Sequence, residues 1–160
     1  MAAGFVAPVA DAPAPAPFRD FGVAAPKPGY VPAFVLTYAE AVGPTDDVEH
    51  LMAYYAEVYN VPLSLVRHVA ARESGFNPAA RNGPYWGMMQ ILPATARSMG
   101  YKGTPEGLLD ADTNLKYAVK YLAGAYVVAG GNEKRADRLY RSGYYFEAKR
   151  LGLLEESGLR

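Results

Sequence analysis

The chain has 160 residues, of which 51% are hydrophobic, and its formal net charge at neutral pH is zero. This length suffices for one domain with a substantial core, and the charge balance gives no reason to expect nucleic acid or an anionic membrane as the main partner. The chain contains no cysteine, so disulfides do not indicate its redox compartment. No apolar run approaches the ~20 residues that span a bilayer.

Residues 1–44 differ in composition from the rest of the chain. Eight of the thirteen prolines lie between Pro8 and Pro44, and residues 12–17 alternate Ala and Pro. This composition predicts a disordered, extended Ala/Pro-rich linker, with residues 45–160 forming the folded domain. The segment lacks the basic start and the unbroken apolar run of a signal peptide. Two interpretations stay open: a linker exposed after processing or truncation, and a disordered cytosolic tail.

Apolar residues at helical spacing predict that the folded part is mainly α, without sustained strand-type alternation. The predicted helices run from Asp46 or Asp47 through Tyr59, from Pro62 to about Ser74, from Pro93 to Gly100, from a cap at Asp112 or Thr113 to Gly130, from Asn132 to about Ser142, and from Tyr144 to Leu151. Their caps and stops follow the usual preferences for Asp, Asn and Thr at helix starts and for Gly at helix ends.

Glu73 is the residue that most strongly indicates chemistry. It lies seven positions after Val66, on the apolar face of the second predicted helix, and Gly75 then ends that helix. Burial disfavours an ionised carboxylate, and a carboxyl is rarely placed on such a face for packing alone. A carboxyl that holds its proton beside a loop suits a general acid. The alternative is a structural ion pair between Glu73 and either Arg72 or Arg67.

Three segments resemble the motifs of one enzyme family. Residues 73–80 (ESGFNPAA) resemble the first motif of the soluble, lysozyme-like lytic transglycosylases, which are built on the transglycosylase SLT domain. Residues 87–96 (GMMQILPATA) are similar to the second motif, and residues 112–122 (DTNLKYAVKYL) to the third. Their order and spacing make the resemblance specific, and it covers the chain from about Val58 to Gly152.

The fourth family motif, usually A-Y-N-A-G, is only partly kept. The matching stretch is Leu139-Tyr140-Arg141-Ser142-Gly143, so Arg141 stands where the family has Asn. The role of the Tyr carries over to Tyr140, whereas the role of the Asn does not. Arg141 has two interpretations: a contact to a carboxylate of a peptidoglycan stem, or an ion pair with Asp137 one helical turn earlier.

The resemblance implies a lysozyme-like helical domain that acts on peptidoglycan. Family members cleave the β-1,4 bond between N-acetylmuramic acid and N-acetylglucosamine, and they form a 1,6-anhydromuramoyl end instead of adding water. Glu73 would be the single catalytic residue, acting first as acid and then as base. The acetamido group of the substrate would stabilise the positive charge that develops at C1.

The resemblance also implies a set of substrate-binding residues. Gln90 would hydrogen-bond the sugar through its amide, Met89 would form an apolar floor, and Tyr140 would direct its hydroxyl toward the reacting centre. The full set is Ser74, Met89, Gln90, Asn114 and Tyr140, with Tyr85, Trp86 and Arg141 as further candidate contacts.

Three of these residues have a structural interpretation as well. Ser74 is as well suited to ending its helix as to binding glycan, Met89 is a typical core residue, and Asn114 is placed where an N-cap is common.

We expect no metal, no cofactor and no nucleotide, because no His, Cys or Asp cluster has metal-ligand spacing and no Gly-rich loop follows a strand. The expected partner is the peptidoglycan strand, with an envelope-machinery protein as a candidate partner for residues 1–44, and with no nucleic acid. The expected location is periplasmic or secreted.

Two other functions stay open. One is a non-catalytic, lysozyme-like glycan-binding module of a cell-envelope machine. The other is a hydrolytic muramidase of the same fold, which needs a second carboxylate. Near the third motif, only Asp110 and Asp112 are candidates for that carboxylate.

Overall fold

The computed structural model describes residues 47–159, apart from the side chain of Asp47. The predicted linker 1–44 lies outside the described residues. Within the described range the elements are α1 (Asp47–Val58), α2 (Leu63–Ser74), β1 (Arg81–Asn82), β2 (Tyr85–Trp86), α3 (Pro93–Ser98), a 3-10 helix (Pro105–Leu109), α4 (Ala111–Val128), α5 (Glu133–Ser142) and α6 (Tyr145–Leu151). The prediction of a mainly α domain is confirmed.

The longest helix, α4, forms the centre of the domain. It packs against α1, α3, α5, α6 and the 3-10 helix. Its inward face is fully buried and consists of small and branched apolar side chains, among them Leu115, Ala118, Val119 and Leu122. The apolar residues at helical spacing in this segment therefore form a buried stripe, and burial of that stripe is the main stabilising contribution to a helix in water.

The start of α4 differs from our prediction. The N-cap is Asp110, whose Oδ2 accepts a hydrogen bond from the backbone N–H of Thr113 at 2.8 Å. Neither Asp112 nor Thr113 is the cap. The caps of the neighbouring helices are as predicted: Asn132 caps α5, and Gly75 ends α2 in the left-handed conformation with φ of 60°.

A two-stranded antiparallel hairpin, which the sequence did not predict, follows α2. Arg81 pairs with Trp86 and Asn82 with Tyr85, and Trp86 forms a further antiparallel bridge with Ile91. The hairpin therefore fixes the start of the segment 87–92 that carries the second motif. No helix in the described range is long and apolar enough to cross a bilayer.

Candidate functional site

Three motif segments converge on the backbone of Met88 and Met89. The Ser74 hydroxyl at the end of α2 donates to the Met88 carbonyl at 2.6 Å. The Met89 N–H donates to Oδ1 of Asn114 on α4 at 3.0 Å, and the Tyr140 hydroxyl on α5 donates to the Met89 carbonyl at 2.9 Å. The family-like motifs thus form one connected unit, in which the Met88–Met89 loop is held from three helices.

Glu73 lies in the last turn of α2, next to this unit. Its side chain is 22% exposed, so it lies at the edge of the buried stripe and is accessible to a ligand. Its Oε1 accepts hydrogen bonds from Nε of Arg72 at 3.2 Å and from Nη2 of Arg72 at 2.6 Å. The alternative of an ion pair with Arg72 is therefore present in the structure, whereas Arg67 pairs with Glu49 instead.

Arg72 also reaches α5, where its Nη1 forms a close ion pair with Oδ1 of Asp137. The Asp137 side chain is 13% exposed, and its Oδ2 lies 3.6 Å from Nη2 of Arg141. The second interpretation of Arg141, an ion pair one turn back along its helix, is thus the observed one. The sequence offered Arg72 only as an ion-pair partner of Glu73 and Asp137 only as one of Arg141, and our reasoning missed that Arg72 joins Asp137 to Glu73. The available signal was an acidic side chain three residues before Tyr140, on the inward face of α5.

Asn114 is fully buried, and its side-chain amide is engaged within the chain, so its role as a substrate-binding residue stays a prediction. Its Nδ2 donates to the carbonyls of Trp86 and Leu108, both at 2.9 Å, and its Oδ1 accepts from Met89. It is not the cap of α4. The side chain ties the hairpin, the 3-10 helix and the second motif to α4, and its hydrogen bonds satisfy three buried backbone groups.

Gln90 has a similar role. Its backbone is in the left-handed region with φ of 50°, and the residue is 8% exposed. Its side-chain Nε2 donates to the carbonyls of Gly87 at 2.8 Å and of Ala80 at 3.2 Å. The amide N–H groups therefore stabilise a strained turn, and the hydrogen bond from Gln90 to a sugar stays a prediction.

Ser74 has both of its hydrogen-bonding functions occupied within the chain, because its oxygen also accepts from the N–H of Asn77 at 3.1 Å. The Met89 side chain has no exposed surface, so it belongs to the core and does not form an exposed floor. Both residues act on the site through the shape of the loop.

The hairpin presents one exposed aromatic ring. Tyr85 is 44% exposed, whereas Trp86 is 7% exposed and is covered by the Arg81 guanidinium at 3.9 Å from the ring centroid. Phe76, which directly follows Gly75, is 42% exposed and has a φ of 65°. Of the two predicted aromatic contacts, only Tyr85 is accessible, and Phe76 is an exposed ring that we did not predict.

Tyr140 is buried and keeps its proton. Burial raises the pKa of its hydroxyl well above the ordinary value, and the nearby negative charge of Glu73 adds to this, while the positive charge of Arg72 acts in the opposite direction. Tyr140 and Glu73 are therefore electrostatic neighbours. A neutral phenol beside the carboxyl is a hydrogen-bond donor, and in this structure the Met89 carbonyl receives that bond.

The two candidate second carboxylates both have structural partners. Asp110 caps α4, and Oδ1 of Asp112 accepts a hydrogen bond from the Tyr55 hydroxyl at 2.8 Å. Among the described residues, no group of three or more His, Cys, Asp or Glu side chains is arranged to hold a metal ion.

Comparison with known proteins gives a consistent result. The Transglycosylase SLT domain model matches residues 50–151. The peptidoglycan transglycosylase gp16 of Escherichia phage T7 is 34% identical over 102 residues, which are 61% of this chain and 8% of that protein. The soluble lytic murein transglycosylase of Escherichia coli (strain K12) is 31% identical over 102 residues, or 58% of this chain and 16% of that protein.

The chain thus spans only a small part of the length of these relatives, and no solved structure matches it significantly. The family match covers well over half of the chain and includes Glu73, the Met88–Met89 loop, Asn114 and Tyr140. On this basis the chain belongs to the transglycosylase SLT domain family.

Proposed function

We propose that residues 45–160 form a peptidoglycan lytic transglycosylase domain in which Glu73 is the single catalytic acid and base. The observation that carries the proposal is the convergence of Ser74, Asn114 and Tyr140 on the Met88–Met89 backbone beside a half-buried Glu73. A catalytic carboxyl needs a rigid surrounding, and two buried hydrogen bonds and one partly buried hydrogen bond to one loop supply it.

The proposed reaction needs one carboxyl because the acid becomes a base after its first transfer. Protonated Glu73 donates its proton to the glycosidic oxygen, and the bond from that oxygen to C1 of N-acetylmuramic acid breaks. The oxygen of the substrate's acetamido group stabilises the positive charge at C1. The Glu73 carboxylate then removes the proton of the C6 hydroxyl, and O6 attacks C1 to close the 1,6-anhydro ring.

Most of the other motif residues support this chemistry indirectly. Asn114, Gln90 and Ser74 hold the Met88–Met89 loop through hydrogen bonds to backbone groups. Tyr140 supplies a neutral hydroxyl near Glu73, because burial raises its pKa. For direct glycan contact we propose the exposed ring of Tyr85, since an aromatic face stacks well on the apolar face of a sugar.

The substrate fixes the proposed location, because peptidoglycan lies outside the cytoplasmic membrane. We therefore propose a periplasmic or secreted site of action. We further propose that residues 1–44 connect the domain to other envelope machinery.

One observation favours a second candidate, a non-catalytic glycan-binding module. The Arg72 guanidinium occupies Oε1 of Glu73, which is the arrangement of a structural ion pair. A hydrolytic muramidase has less support. It needs a second carboxylate, and Asp137, the carboxylate that shares Arg72 with Glu73, is already engaged by two arginines.

Glu73→Gln tests the proposal against the binding module. The amide keeps the size of the side chain but cannot donate or accept the catalytic proton, so we expect turnover to fall by several orders of magnitude. Binding to insoluble peptidoglycan should be retained. Clearing of a peptidoglycan suspension at the wild-type rate would refute the assignment, and absence of clearing by the wild-type protein would favour the binding module.

A further inference from the structure

The contact between the side chains of Arg72 and Glu73 is unusual, because the two are consecutive residues of a helix. Side chains at adjacent helical positions point about 100° apart and do not normally meet. Here Arg72 nevertheless bonds Oε1 of Glu73 through both Nε and Nη2. A long side chain loses considerable rotamer freedom in such a conformation, so a second contact is needed to hold it.

Asp137 is that second contact. It lies on α5, 65 residues away in sequence, and takes the remaining Nη1 of Arg72. Its side chain is only 13% exposed, and a buried carboxylate needs a charged partner to offset the loss of hydration. Arg72 is therefore fixed between two carboxylates, with one edge on Glu73 and one end on Asp137.

We propose that Arg72, anchored by Asp137, is a positioning residue that occupies Oε1 of Glu73 and leaves Oε2 to give and take the catalytic proton. This inference rests on the proposed function of Glu73 as acid and base. Among the described residues, every hydrogen bond that Glu73 receives from a side chain ends on Oε1. The catalytic proton is thereby assigned to one atom of the carboxyl.

Asp137 also balances the charge of the site. When Glu73 is protonated, Arg72 keeps a full counter-charge in Asp137, so the acid form does not leave an isolated cation in a half-buried position. Without Asp137, Glu73 would be the sole carboxylate in contact with Arg72. The pair thus allows an arginine to orient the acid without removing its proton.

Two further groups on the described residues face this arrangement. From α2, Nε2 of His68 lies 3.9 Å from Oδ2 of Asp137 on a side chain that is 63% exposed. From α5, Arg141 lies against the same oxygen. The group that faces Glu73 from α5 is Tyr140, which stays neutral because its pKa is raised. His68→Gln therefore serves as an additional control, since it removes a group that lies against Asp137 without changing Arg72 or Glu73.

The test uses three variants and a matched control. Arg72→Met removes the guanidinium and keeps the length of the stem, Asp137→Asn removes the charge and keeps the shape, and the double variant removes both charges. The matched control is Glu147→Gln, because Glu147 also lies between two arginines, Arg135 and Arg150, and is in contact with neither Arg72 nor Glu73.

The two single variants should shift the pH dependence of the site in opposite directions. The basic limb of the rate profile on peptidoglycan, and the NMR titration of the Glu73 carboxyl carbon, should move to lower pH in Asp137→Asn, which removes a negative charge beside the site, and to higher pH in Arg72→Met, which removes a positive one. The double variant should return close to the wild type. Arg72→Met and the double variant should lose about tenfold in kcat with little change in KM, because orientation of the acid is lost.

Shifts in the same direction, absent shifts, or equal shifts in Glu147→Gln would overturn the inference. Thermal melting checks the fold of each variant, and the double variant keeps the test decisive if Asp137→Asn alone does not fold, since it removes the Arg72–Asp137 ion pair as a whole and does not leave Arg72 without that partner. If the wild-type protein does not cut peptidoglycan, the proposed function fails, while the NMR titration still reads whether Arg72 and Asp137 control Glu73.

Discussion

Asn114→Ala is expected to destabilise the domain strongly. The substitution removes three buried hydrogen bonds, to the Met89 N–H and to the carbonyls of Trp86 and Leu108. The Trp86 carbonyl keeps the hydrogen bond that it accepts from the Ile91 N–H, so two buried backbone groups, the Met89 N–H and the Leu108 carbonyl, lose the partner that Asn114 supplies. Each such group costs about 1–3 kcal/mol, and partial relaxation lowers the sum, so we expect a loss of about 2–4 kcal/mol in the free energy of unfolding. For a domain of this size that corresponds to a fall of roughly 8–16 °C in Tm.

The assay is thermal and denaturant unfolding, with Asn132→Ala as the matched control. Asn132 makes one exposed capping bond, to the N–H of Arg135, and its loss should cost only about 1 kcal/mol. If Asn114→Ala destabilises the domain no more than Asn132→Ala but weakens glycan binding, the reasoning is refuted. Asn114 would then be a substrate contact, as the sequence had led us to expect.

Three further predictions concern the loop and the surface. Tyr140→Phe removes a buried bond to a loop carbonyl, so we expect a loss of about 1–2 kcal/mol in stability and a lower kcat; an unchanged kcat would show that the hydroxyl has no part in the reaction. Gly87→Ala would place a Cβ 2.2 Å from two neighbouring atoms, whereas the Cβ of Gly83→Ala, also at positive φ, meets nothing within 4 Å. We therefore expect Gly87→Ala to melt at a lower temperature than Gly83→Ala, and similar Tm values for the two variants would contradict this expectation. The pKa of Glu147 is lowered, mainly by a hydrogen bond from Arg150, so its contribution to stability is present above its unfolded-state pKa and is lost as the pH falls through the folded-state value. The Tm difference between wild type and Glu147→Gln should accordingly shrink below about pH 4, and a difference that persists there would be inconsistent with this assignment.

The helices could be predicted because their signals are local. Apolar spacing, Gly75 and Asn132 lie within the segments that they delimit, and the structure places those ends as predicted. The cap of α4 was mispredicted because Asp110, Asp112 and Thr113 are all competent caps by residue type. The choice among them depends on which residue leaves the helical backbone region first.

The site could be predicted only in part, because its contacts are long-range. The motif located Glu73, but the orientation of Asn114 depends on how the segment 86–89 approaches α4, which spacing along the chain does not determine. The role of Asp137 depends on the packing of α2 against α5. The hairpin was missed because strands of two residues carry no measurable periodicity.

The chemical nature of the product tests the central claim most directly. Purified peptidoglycan digested with the wild-type protein should release fragments that end in 1,6-anhydromuramic acid, lighter by one water than the corresponding lysozyme products, and Glu73→Gln should release none. Mass spectrometry of the two digests distinguishes these species. Dominant release of reducing-end muramic acid by the wild-type protein would contradict the account, because water rather than the C6 hydroxyl would then have attacked C1.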